Sequence, residues 1–114
     1  MRRRRYKLVL RLGPRVEKER HATLEEALDA LAARVPHVTP RSGRAVLGRE
    51  YEPVRQVAGR LELHGPRGVH GGIDVRGNGD AEAYVGWVRK DVVERADGES
   101  AVDALRRALI AYAA

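Results

Sequence analysis

The segment Gly77-Asn78-Gly79-Asp80 sits between two runs whose side chains alternate as strands do. Asn-Gly is the strongest short hairpin signal, because a type I′ turn needs positive φ at both central residues. A two-residue loop at Asn78-Gly79 sets Arg76 opposite Ala81 and, further back, His70 opposite Trp87. Ile73 then lies beside Tyr84, and Val69 beside Val88. Strand side chains alternate with a period of two, so this register sorts the pair into two faces. One face collects apolar groups; the other collects His70, Asp74, Arg76, Trp87 and Arg89.

A third strand joins them. Val57, Gly59, Leu61 and Leu63 alternate with Ala58, Arg60, Glu62 and His64. With a five-residue loop over 65–69, His64 faces His70, Glu62 faces Gly72, Leu61 faces Ile73 and Arg60 faces Asp74. Leu61, Leu63, Ile73, Val75, Tyr84 and Val88 then form the face that helices cover, and Arg60, His64, His70, Arg76, Val85, Trp87 and Arg89 form the other. A four-residue loop would slip the pairing by one and exchange the faces of strand 57–64.

The remaining pattern completes an α+β chain. Tyr6, Leu8, Leu10 and Leu12 alternate as a half-buried strand, Gly13-Pro14 turns, and the polar run Val16 to His21 returns as an edge strand. Thr23-Leu24-Glu25-Glu26 fits a capping box, followed by Leu24, Leu28, Leu31 and Val35 on one helical face and Pro36 as the stop. A loop over 36–44 and a short strand near Val46–Tyr51 follow, with another short strand at Val92-Val93. Ser100 caps a last helix whose Val102, Leu105, Leu109 and Tyr112 share a face. Ala27-Leu28-Asp29-Ala30-Leu31 resembles Ala101-Val102-Asp103-Ala104-Leu105. Two hairpin-plus-helix units around a central strand pair would form a two-layer sandwich. The expected fold is therefore a basic arm over 1–5 and one α+β domain over 6–114. Four to six antiparallel strands would carry helices 24–35 and 100–112 on one face.

Charge narrows the partners. The net charge is +6 and the sequence pI about 10.3. Residues 1–20 carry nine Lys/Arg against two acids, and residues 36–79 seven Arg against four acids, while both helical segments are slightly acidic. That asymmetry suits a polyanion bound by the arm and the sheet. The preference for Arg over Lys, nineteen to three, is equally what the coding bias of a GC-rich genome produces. There is no Cys, which excludes disulfides, thiol catalysis and thiolate metal sites and points to a reducing compartment. Arg11 interrupts the apolar run after the arm, so no leader is expected and a cytoplasmic location is. No apolar run approaches a membrane span.

Chemistry beyond binding finds little support. Ser42 and Ser100 are the only serines, and neither stands in a Ser/His/Asp context. Glu50 and Glu52 read as a solvated edge, and Gly65–Gly72 lacks a phosphate-loop pattern. His64, His70 and Asp74 are zinc-compatible residue types, but Arg60 is the better partner for Asp74, so no metal and no cofactor is expected. Hairpins followed by a helix superficially resemble a double-stranded-RNA-binding domain. That family carries a Lys cluster where this chain has Gly98-Glu99-Ser100, and no family is claimed.

The sharpest expectation is a non-enzymatic nucleic-acid-binding protein. An aromatic ring on an open sheet stacks bases while nearby cations neutralise phosphates. The residues assigned to it are Arg2, Arg3, Arg4, Arg5, Arg41, Arg44, Arg60, His64, His70, Arg76, Trp87 and Arg89. The alternative is a protein-interaction module or homodimer that buries Trp87 and Val85. No small-molecule substrate is expected.

Overall fold

In the computed structural model, which describes residues 3–38, 45–46, 49–50 and 57–113, the hairpin signals close a six-stranded antiparallel sheet. The elements are β1 (Tyr6–Leu12), β2 (Arg15–His21), α1 (Leu24–Arg34), β3 (Ala45–Val46), β4 (Arg49–Glu50), β5 (Val57–His64), β6 (His70–Arg76), β7 (Ala81–Val85), β8 (Asp91–Val93) and α2 (Ala101–Ala113). The sheet order is β2-β1-β5-β6-β7-β8, and β3 pairs with β4 as a separate hairpin. The β1–β2 hairpin leads to α1 and the β7–β8 pair leads to α2, with β5 and β6 between them, as the weak sequence repeat suggests.

Both helices cover the same face. Leu8, Leu10, Leu61, Leu63, Ile73, Val75 and Ala83 meet Ala27, Leu28, Leu31, Ala101, Ala104, Leu105 and Leu109 in one buried core. Arg106 of α2 bonds Glu25 and Asp29 of α1, clamping the helices side by side. Tyr112 departs from the expected α2 face. It is exposed, because the buried stripe runs through Ala101, Ala104, Leu105 and Leu109.

The helix ends follow their caps. Thr23 Oγ1 accepts from Glu26 N at 3.1 Å, and Glu26 reaches back to Ala22 N at 3.2 Å. Pro36 has no N–H to give Ala32, so α1 stops at Arg34 and tightens into a 3₁₀ turn over Val35–His37. Ser100 Oγ accepts from Asp103 N at 3.1 Å at the start of α2.

The Asn-Gly turn is where the expected register fails. A type I′ turn needs positive φ at Asn78 and Gly79, but only Gly79 has it, at 92°. Asn78 instead uses its side chain to accept from Asp80 N at 3.1 Å. Gly79 N bonds Arg76 O, and Arg76 N bonds Asp80 O, which closes a three-residue loop over 77–79. Each β6 residue therefore faces a β7 residue one position earlier than expected: Gly72 faces Tyr84 and Ile73 faces Ala83. Tyr84 and Val85 exchange sides. Val85 packs toward the core, and Tyr84 lies on the helix-free face. Val88, expected in the core beside Val69, lies beyond the strand and is exposed.

Glu99 ties the approach to α2. Arg107 donates to it at 2.9 Å and Ala96 N at 3.0 Å, and these bonds hold its carboxyl at about 2, against an ordinary 4.5. A depressed carboxylate contributes stability that is present above its unfolded value and lost as pH falls through the folded one. The stability advantage of the native chain over Glu99→Gln is therefore expected in urea unfolding at pH 6. It should shrink as pH falls from about 4.5 to about 2.

Candidate nucleic-acid interface

The helix-free face is ordered by register into rows. One row crosses the sheet as Arg20, Lys7, His64 and His70, on β2, β1, β5 and β6. The next runs through Lys18, Val9, Glu62, Gly72, Tyr84 and Val92. The five-residue loop after His64 pairs β5 with β6 as expected, with Gly65 N on Val69 O at 2.7 Å.

Trp87 reaches the first row by a break in the pleat. Gly86 N bonds His70 O at 2.8 Å, so it is Gly86, not Trp87, that stands opposite His70. A continued strand would send residue 87 to the same side as Val85, against the helices. Gly86 turns the chain at φ 105°, and the Trp87 ring lands on His70 with centroids 5.0 Å apart and planes 25° apart. Trp87 remains 66% exposed. The Trp87–His70–His64 grouping read from sequence is thus present, although the register that implied it is shifted by one. The turn loop displaces β7, and Gly86 restores the face.

The middle of the face is sealed by Tyr84. Its ring lies over Gly72, where an added Cβ would stand 2.6 Å from the hydroxyl and 2.2 Å from Leu61 O. Burial, then the charges of Asp74 and Glu62, push its hydroxyl pKa upward, so Tyr84 is a neutral lid. The Arg60 and Lys90 cations stand 5.8 and 5.0 Å from its ring centroid.

Charge divides the face in two. Away from the Trp87 row three arginines are matched: Arg60 makes a fork to Asp74 at 2.6 and 3.2 Å, Arg76 reaches Glu82 at 2.8 Å, and Arg11 reaches Glu62 at 2.5 Å, while Lys18 and Lys90 have no carboxylate partner among the described residues. Burial raises the Glu62 pKa, but bonds from His64 and Arg11 outweigh it and hold Glu62 below its ordinary value. At the Trp87 end the cations are free. Among the described residues, Lys7, Arg20, Arg67 and Arg89 have no carboxylate partner, and neither do Arg3, Arg4 and Arg5, which lead into β1 at that end.

The structure thus brings His64, His70 and Trp87 together, with Arg89 in the adjoining connection. It places Arg60 and Arg76 in ion pairs. Arg2, Arg41 and Arg44, with Glu52 and Ser42, lie outside the described residues. Sequence reading groups Lys7 with the basic arm rather than with the sheet face, and it does not single out Arg20. The β1–β5 pairing that puts Lys7 beside His64 joins strands separated by α1, and no local signal sets it.

Among the described residues, no three of His, Asp and Glu converge as a metal cluster, and no helix is long and apolar enough to cross a membrane. An open groove of about 590 Å³ lies between the ends of β7 and β8, lined by Arg76, Glu82, Glu94 and Arg95.

Gly86→Ala tests the break. A Cβ there would meet Arg89 O at 2.1 Å, on a backbone that side chains rarely adopt. The variant is expected to lose about 1–3 kcal/mol in denaturant unfolding. Its near-ultraviolet circular dichroism should show that Trp87 has left His70.

No protein-family model matches the chain, and neither does any curated protein or solved structure, so the reading of this face rests on its own geometry.

Proposed function

We propose that the protein binds single-stranded nucleic acid across the Trp87 end of the helix-free sheet face, without catalysis. The observation that carries the reading is one row. An exposed Trp87 ring braced on His70 is continuous in register with the unpaired cations Lys7 and Arg20. Every base offers a π-face to such a ring, worth about 1–3 kcal/mol per base. Lys and Arg add affinity by releasing counterions from phosphates. From β2 to β7 the row spans four strand spacings, about 19 Å, enough for a short run of nucleotides crossing the strands. Arg3, Arg4 and Arg5 extend the positive track beyond the sheet, and Arg67 and Arg89 flank it. Arg60 and Arg76 serve this reading by bracing the face, since their charges are matched by Asp74 and Glu82. A cytoplasmic place of action suits a cysteine-free chain with such a partner.

One observation favours a second reading. Trp87, Val88 and Val92 are all exposed at the β7–β8 edge, and a second copy could bury them. That reading predicts a mass that rises with concentration and Trp87 emission that shifts to the blue as it does.

Fluorescence anisotropy with labelled single-stranded RNA, single-stranded DNA and duplex DNA decides between them. Single strands should bind, with log affinity falling linearly in log salt by about 0.7 per neutralised phosphate. Trp87→Ala should cost about 1–3 kcal/mol at every salt concentration. Lys7→Ala and Arg20→Ala should each lower the salt slope by about 0.7, while Arg76→Ala leaves it nearly unchanged. Equal binding by Trp87→Ala, or no binding at low salt, contradicts the proposal.

A further inference from the structure

The two imidazoles beneath Trp87 face one another more closely than a stacking platform needs. His64 Nδ1 and His70 Nδ1 are 2.8 Å apart, their ring centroids 5.0 Å apart and their planes 56° apart. His64 Nε2 meets Glu62 Oε1 at 3.0 Å, and Glu62 is held in turn by Arg11. A carboxylate accepts only, so His64 Nε2 carries the proton in that bond and its Nδ1 lone pair faces His70. This is how a carboxylate orients a metal-binding histidine. From this geometry we infer a two-histidine site for a divalent transition metal, bound through His64 Nδ1 and His70 Nδ1, with Glu62 as the orienting partner.

The ligand type narrows the metal, and the spacing admits it. Two nitrogens about 2.0 Å from one ion lie about 2.8 Å apart at a right angle, and about 3.3 Å apart at the tetrahedral angle. In the free chain the 2.8 Å is an N–H···N hydrogen bond. An ion that takes the place of its proton meets two nitrogens close enough for the cis positions of a square or tetragonal centre, the geometry of Cu(II) and Ni(II). Cu(II) also heads the affinity order for nitrogen sites. Binding requires His70 to move its single ring proton from Nδ1 to Nε2, so no proton is lost when both rings begin neutral. Burial and the neighbouring His64 hold the His70 pKa below its ordinary value, which favours the neutral ring. His64 is partly exposed at the sheet end, so water can fill the other coordination positions. Lys7, opposite His64, opposes a dication, and Glu62 offsets it. This inference does not depend on nucleic-acid binding.

Trp87, the one tryptophan of the chain, stacks on His70 and reports the site directly. Titrating the full chain with CuCl₂ at pH 7.5 in a non-coordinating buffer should quench its emission saturably at one equivalent. Ni(II) should bind more weakly. The electron paramagnetic resonance spectrum should show two coupled imidazole nitrogens. His64→Gln and His70→Gln should each weaken binding at least tenfold, with circular dichroism confirming that both variants fold. Glu62→Gln, which keeps both ligands, should weaken it about 10- to 100-fold. His21→Gln and His37→Gln should leave it unchanged. Quenching that fails to saturate, that survives His64→Gln and His70→Gln, or that is lost with His21 or His37 overturns the inference.

Discussion

The pairing of His64 with His70 is the contact on which the rest of the molecule is aligned. It follows from a five-residue loop closed by Gly65 N on Val69 O, and it sets the parity of β5 and β6. Given that parity, Leu61, Leu63, Ile73 and Val75 must face the helices, and Arg60, Glu62, His64 and Asp74 must face away. A slip of one residue would bury the charges and expose the leucines, so core and surface enforce the same register. β1 then joins β5 with Lys7 beside His64 and Leu8 beside Leu63, carrying the division across to β2.

Much of this was legible because local chemistry and tertiary packing agree. Thr23 and Ser100 announce the helix starts, Pro36 the stop, and Gly13-Pro14 the first hairpin, each through a backbone requirement that context does not change. Arg60 with Asp74 was legible for the same reason, as opposite charges on directly opposite positions. The Asn-Gly turn was less so, since Asn-Gly serves both a two-residue type I′ loop and a three-residue loop with only its glycine at positive φ. The choice between them lies in packing. The longer loop sends Val85 to the core and lays Tyr84 over Gly72, a glycine that leaves room for the ring. Gly86 reads in sequence as one more strand residue, yet its positive φ returns Trp87 to the open face.

Charge on the helix-free face follows from pairing distance rather than composition. The acids Glu62, Asp74 and Glu82 stand within reach of Arg11, Arg60 and Arg76, so the middle of the sheet is internally balanced. At the end where the arm enters, Lys7 and Arg20 face no carboxylate among the described residues. A count of basic residues does not separate these groups. The register does, and it places Lys7 and Arg20 in the row that ends at the Trp87 ring.

The most direct test of this account is a nuclear Overhauser spectrum of the free protein, because the face assignments of Tyr84 and Trp87 carry everything built upon them. The three-residue loop with the Gly86 turn predicts contacts from the Tyr84 ring to the Gly72 α-protons and from the Trp87 indole to the His70 imidazole. Contacts from the Tyr84 ring to Leu105 and Leu109, with none between Trp87 and His70, would place the aromatic groups on the helix side and contradict the account.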